Sequence, residues 1–186
     1  MSELVVPMAK WRIILNMMFN PALALKQSVS KVSWQFSLGV SSLAFLLFFL
    51  QTGLDLYKTG RQSMIFAIIT AGVGGLYGII VIPILGLVVW LVLKLFKTSK
   101  DMKWTISAFC LSYSAALIYC SFGIIFSLVL GWRTSVAFGI TGVIWAVGPM
   151  MTTIREMTGG KTFVSILLST IISAIVLLSW SLIGGI

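Results

Sequence analysis

The chain contains no histidine, only four acidic residues and only two cysteines among its 186 positions. Without histidine, no serine can be activated by an imidazole base, and no histidine-containing ligand set can hold a metal. Glu3, Asp55, Asp101 and Glu156 stand far apart and offer no carboxylate pair for general acid–base work. Cys110 and Cys120 are ten residues apart. That spacing is about 15 Å along a helix, beyond the roughly 7 Å between Cα atoms that a disulfide allows. Both are expected to be free thiols. Charged residues make up 9% of the chain, against about 25% in soluble domains, and a soluble fold is excluded.

What is present is apolar sequence. The chain is 59% hydrophobic, and its mean hydropathy is +1.10. Five runs carry no charge, at 32–54, 62–93, 104–132, 134–154 and 162–186, with lengths of 23, 32, 29, 21 and 25 residues. A helix needs about 20 apolar residues to cross a hydrocarbon core of roughly 30 Å. Lipid offers the backbone no hydrogen-bond partners, so each run is expected to be helical. The fold class is all-α, a bundle of five transmembrane helices. Spans are expected at about 36–54, 74–94, 105–130, 135–153 and 163–184. The second run is too long for one perpendicular crossing, so 63–73 is assigned to an interfacial or tilted lead-in, with a kink near Gly72 to Gly75.

Residues 1–35 precede this domain of 36–186. Within them, 8–19 form a short amphipathic helix with Trp11, Leu15 and Met18 at helical spacing, suited to lying on the membrane surface. Asn20-Pro21 ends it, because the residue before proline avoids the helical region. The segment is a poor signal peptide and is expected to be retained: Glu3 precedes any positive charge, and Asn16, Asn20 and Pro21 interrupt the apolar stretch before Ala22 and Ala24.

Charge sets the orientation. Lys10, Arg12, Lys26 and Lys31 precede span one. Lys94, Lys97, Lys100 and Lys103 follow span two, and Arg155 and Lys161 follow span four. These ten fall on one side of the membrane, and Lys58, Arg61 and Arg133 fall on the other. Basic residues collect in cytoplasmic loops, which places the N-terminus in the cytoplasm and the C-terminus outside. The same rule explains the net charge of +9 without nucleic acid. Juxtamembrane Lys and Arg also favour anionic lipid headgroups, each by about 1 kcal/mol near the surface.

No motif carries catalysis. Gly159-Gly160-Lys161-Thr162 resembles a phosphate loop, but Arg155 occupies the position of the required first glycine. Ser165 and Lys161 are four residues apart, a spacing that fits a packing serine beside a snorkelling lysine. No catalytic residue, metal ligand or cofactor is assigned. Small residues do recur at helical spacing: Gly74 and Gly78, then Ser165, Ser169 and Ser173, with Gly123/Ser127 and Ser135/Gly139 repeating the theme. They mark faces where helices approach closely, within the bundle or against a partner. Hydroxyls in span three (Ser107, Ser112, Tyr113, Ser114, Tyr119, Ser121) are expected to bond back to their own helix. Trp11, Trp34, Trp104, Trp132 and Trp180 fit an interfacial belt. Asp55 is expected to pair with Arg61 or Arg133 on the outer face.

Several of these features together resemble bacterial members of the Yip family, membrane proteins named for interaction with Ypt/Rab GTPases. They are Phe19-Asn20-Pro21-Ala22-Leu23 before span one and the glycine-rich second run ending in Lys94-Leu95-Phe96-Lys97. Ser112-Tyr113 in span three and Val143-Ile144-Trp145 in span four complete the set. The chain departs at Ala115-Ala116-Leu117, where the family often has proline. The resemblance implies a non-enzymatic, multi-pass protein of a bacterial plasma (inner) membrane, without a cofactor. Such a protein is expected to be an accessory or scaffold that assists a membrane complex such as a transporter or envelope-stress system. Its expected partners are anionic lipids and another membrane protein or a second copy of itself, not nucleic acid. The alternative is a small permease or channel subunit.

Overall fold

The computed structural model describes residues 10–27, 29–95 and 98–183. Glu3, Lys97, Phe96 and the C-terminal 184–186 lie outside the described residues, as do positions 8 and 9 of the expected N-terminal helix. The described residues are helical, with no strand among them. Five helical stretches are long and apolar enough to cross a membrane. The chain is therefore a multi-pass membrane protein by length and composition.

In chain order the helices are α1 (Lys10–Phe19), α2 (Pro21–Gln27), α3 (Trp34–Lys58), α4 (Met64–Lys94), α5 (Met102–Ser112), α6 (Ser114–Leu130), α7 (Thr141–Trp145), α8 (Val147–Met157) and α9 (Thr162–Ile183). A 3-10 turn, Val29–Lys31, precedes α3, and a π-helix, Ser135–Ile140, precedes α7. Three spans begin with a side chain that accepts from the helix's free first turn. Ser33 accepts from Phe36 N at 3.3 Å, Ser63 from Phe66 N at 3.3 Å and Asp101 from Trp104 N at 2.8 Å.

The second span is one uninterrupted helix of 31 residues. Residues 64–73 are continuous with the rest of the span, as in the tilted form of the lead-in expected at 63–73 and not the interfacial one, and the helix is not interrupted at Gly72 to Gly75. Ser63 caps the helix directly, and the glycines stay inside its hydrogen-bonded ladder. Thirty-one residues extend about 46 Å, a length a bilayer accommodates by tilt. The third span, by contrast, is divided. Its hydrogen bonding shifts at Tyr113, whose N–H donates to Cys110 O at 3.3 Å, separating α5 from α6. The fourth is wound as π-helix, then α7, then α8. Pro149 accounts for the last junction. It has no N–H to give to the carbonyl of Trp145, so a new helix starts at Val147 with Pro149 in its first turn, where a missing donor costs little.

Span one is the axis of the bundle: 61% of its most apolar stretch is buried, against 28% for α9. Span two runs antiparallel to it and span three parallel, Phe45 meeting Tyr113, Gln51 meeting Cys120 and Lys58 meeting Ser127. Gly53 lies against Ala67, Gly74 against Phe45 and Phe49, and Gly78 against Ser41. The centre is filled by rings. Phe45 meets Tyr77 and Tyr113 at centroid distances of 5.0 and 4.8 Å, and Phe48 stacks on Trp180 at 4.9 Å. Trp180 is thus a core residue rather than part of an interfacial belt. Its indole N–H donates to Thr52 Oγ1 at 2.9 Å, which makes burial tolerable.

A second, smaller core holds the N-terminal helices: Ile13, Met17, Ala24, Leu25 and Val29 pack with Val40, Ala108 and Leu111. The face of α1 that meets protein is Ile13, Met17 and Met18, whereas Trp11 and Leu15 are exposed. The expected apolar stripe of Trp11, Leu15 and Met18 is therefore split, because α1 has a protein-facing side as well as an apolar outer side.

Cys110 and Cys120 are fully buried free thiols. Neither is expected to react with a maleimide in the folded protein, and both are expected to react after denaturation in SDS, read as mass increments.

Candidate functional site

The densest polar arrangement between helices is a clasp at the end of the bundle remote from the lysine-rich loops. It is built from the last turn of α3, which carries Asp55 and Lys58 three residues apart and hence on one side of the helix. Between them they hold the turn that joins α6 to the π-helix. Gly131 ends α6 in the left-handed conformation, at φ 69°, which a residue with a Cβ rarely adopts.

Asp55 is buried and takes the start of the fourth span. Its carboxylate accepts from Thr134 N at 3.1 and 2.9 Å, from Ser135 N at 2.8 Å and from Ser135 Oγ at 2.7 Å. Lys58 takes the end of the third span. Its ammonium donates to Ser127 O at 2.6 Å, Ser127 Oγ at 2.6 Å and Trp132 O at 2.9 Å. An anion meets a helix N-terminus and a cation meets a helix C-terminus, so both charges complement the local helix dipoles. The arrangement is a tie between three spans.

The expected ion pair of Asp55 with Arg61 or Arg133 does not form among the described residues, where the pair within 4.0 Å is Lys100–Glu156 at 3.3 Å. The reason is local: backbone donors already occupy the carboxylate. Arg61 and Arg133 are exposed and line, with Asp55, Thr59 and Ser135, an open cleft of about 450 Å³.

No family model, curated protein or solved structure matches this chain.

The small-residue positions are brought together inside the chain. A Cβ on Gly74 would collide with the Phe45 carbonyl and the Phe49 side chain, and one on Gly78 with the backbone of Ser41 and Ser42. Ser41 Oγ donates to Gly78 O at 2.8 Å, and Ser42 Oγ to Gly75 O at 3.2 Å. Gly123 and Gly139 make room for Gln51 and Phe48 respectively. Ser165, Ser169 and Ser173 are buried on α9. Ser165 and Ser169 bond back to the carbonyls of Lys161 and Ile166 at 2.8 and 3.1 Å. In span three, Ser112, Ser114 and Ser121 do the same to Ala108, Leu111 and Leu117.

At the lysine-rich end a second open cleft, of about 440 Å³, is lined by Lys26, Lys100, Asp101, Trp104 and Glu156, among others. Lys100 bridges to Glu156 and lies 4.8 Å from the centroid of Trp104, while Lys94 lies 4.9 Å from that of Trp90. A basic group over an aromatic ring keeps its charge at the surface while its stem packs.

The sequence reading missed Lys58 as a helix cap and Ser135 as a ligand of Asp55. Two signals were available: opposite charges three apart at a span end, and Thr134-Ser135 after a glycine turn, residue types favoured where a helix begins.

Proposed function

We propose that this chain is a non-enzymatic accessory or scaffold protein of a bacterial plasma membrane, a five-span protein of the kind found in the bacterial Yip family. Its N-terminus lies in the cytoplasm, and it assists the assembly or activity of a membrane complex such as a transporter. The observation that carries the reading is where the interhelical polar groups go. Ser41, Ser42, Gln51, Asp55 and Lys58 all end on backbone groups of neighbouring helices. Rings fill the space between them. Polar chemistry is spent on holding one closed body together, which leaves its outer surface and lysine-rich end for partners and anionic headgroups. Purification in mild detergent is the test: a second membrane protein should accompany the chain in constant proportion. A chain that runs alone would remove the proposal.

A small permease or channel subunit is the second reading. Gln51 Oε1, Tyr113 OH and Ser173 Oγ are buried without partners, and these favour it. Gln51→Met separates the two readings. Gln51 Nε2 donates to Cys120 O at 2.7 Å; methionine keeps the size and removes that bond, at a cost of about 1 kcal/mol, while the Cys120 carbonyl stays within the ladder of α6. In a scaffold, the fold and complex formation should survive. In a permease, flux into liposomes should appear in the wild type and fall in the variant.

A further inference from the structure

The N-terminal helices have an uneven charge distribution. Lys10 and Arg12 stand at the start of α1 and Lys26 at the end of α2, and positions 13–25 between them carry no charge. The chain folds back at Asn20-Pro21, so the three cations gather at the open end and the apolar residues form the tip. A helix lying along a membrane surface would instead carry charge down one whole side.

Contacts fix how far the tip reaches. At the open end, Lys10 Nζ lies 5.7 Å from the centroid of Phe36, in the first turn of α3. Lys26 shares the cleft with Lys100, Asp101 and Glu156. At the tip, Trp145 Nε1 donates to Met18 O at 3.3 Å. Trp145 is ten residues from Ser135 and twelve from Met157, midway along the fourth span. Leu15, Met18 and Phe19 share a groove with Ile118, Tyr119 and Phe122, which lie around and beyond the middle of Met102–Leu130. The ten residues of α1 extend about 15 Å, half of a core of roughly 30 Å.

A turn at that depth must satisfy its own backbone, and this one does so largely through one residue. Asn20 N donates to Asn16 O at 2.7 Å and closes α1; Asn20 Oδ1 accepts from Leu23 N at 3.2 Å, and Asn20 O from Ala24 N at 3.1 Å. Pro21 has no N–H to satisfy. The outer side of the hairpin is apolar: Trp11, Leu15, Phe19 and Leu23, spaced by four, are all exposed.

We propose that Lys10–Gln27 is a re-entrant helical hairpin inserted in the leaflet at the lysine-rich end, and that it makes the protein a wedge that favours membranes curved with that leaflet convex. The hairpin adds two helices, each about 10–12 Å across, to one leaflet only. Beyond its tip α6 is bare, with Phe122, Ile125 and Val129 exposed along one side to lipid of the other leaflet. The wedge is independent of whether the chain is a scaffold or a permease.

Two measurements on the full chain in phosphatidylcholine–phosphatidylglycerol vesicles test it. Nitroxides are placed singly through Trp11→Cys, Leu15→Cys, Phe19→Cys and Lys26→Cys. The ratio of oxygen to nickel-chelate accessibility should rise from 11 through 15 to 19 and be low again at 26. A flat, shallow profile would mean a surface helix and overturn the insertion. In a mixture of small sonicated and large extruded vesicles, the wild-type protein should be several-fold denser per lipid in the small ones, with its lysine-rich end outward and open to protease. Equal density and random orientation would overturn the wedge. Phe19→Asp should abolish the preference while the bundle's unfolding midpoint stays close to wild type.

Discussion

Replacing Asp55 with alanine is expected to destabilise the protein by about 3 kcal/mol, among the larger effects of any single substitution in it. The argument rests on what is left behind. Thr134 and Ser135 are buried, and both their N–H groups end on the Asp55 carboxylate. A buried donor stripped of its partner costs about 1–3 kcal/mol, and water entering from the adjoining cleft recovers part of that. Asp55→Asn keeps one acceptor oxygen and is expected to lose about half as much, in line with the weaker bond to an uncharged acceptor. Arg61→Ala and Arg133→Ala should each stay within about 0.5 kcal/mol of wild type, as surface substitutions generally do. Unfolding in mixed micelles with rising SDS gives all four values. If the arginine variants fell as far as Asp55→Ala, the carboxylate would be acting through an ion pair and the clasp would be the wrong description.

How much of this was legible beforehand depended on the length scale of the signal. A span announces itself over twenty residues of lipid-compatible sequence, and the five helices lie where the five uncharged runs are. Gly74 and Gly78 stand where α4 approaches the backbone of α3, because close approach of two helices needs a small residue whatever lies opposite. Partner choice was not legible. Nothing near Asp55 in sequence says that its oxygens will meet backbone N–H groups some eighty positions later rather than the side chain of Arg61, six positions on. Free donors at a helix start are a property of the fold, and they out-compete a flexible guanidinium that keeps its hydration. Trp180 was misplaced for the same reason. Its position near a span end suggests an interface, but Thr52 offers its N–H a partner inside. The N-terminal helix was read from one face, and nothing in its own sequence says that Met18 O will accept from Trp145, midway along the fourth span.

Gly78→Leu is expected to have the other large effect, and Gly72→Ala supplies its control on the same helix. Any Cβ at 78 would sit inside contact distance of the Ser41 carbonyl and within 2.6 Å of Ser42 Cα. These are backbone atoms of a helix and cannot rotate away, so α3 and α4 must separate. Separation also lengthens the bond from Ser41 Oγ to Gly78 O, now 2.8 Å, and loosens the packing of Phe45 and Phe49 beside Gly74. Overpacking costs about 1–3 kcal/mol; a leucine forced between two backbones should reach or exceed the upper end. Gly72 has nothing within 4 Å of where its Cβ would be. Alanine there meets no obstacle and gains up to about 1 kcal/mol of helix propensity, less where lipid already enforces the helix. The two glycines are six residues apart in one hydrophobic run and look equivalent as residue types. Opposite signs in the same unfolding assay would show that the α3–α4 contact, and not glycine content, holds the axis of the bundle in place. A Gly78→Leu variant as stable as wild type would mean that the two helices do not meet at this register.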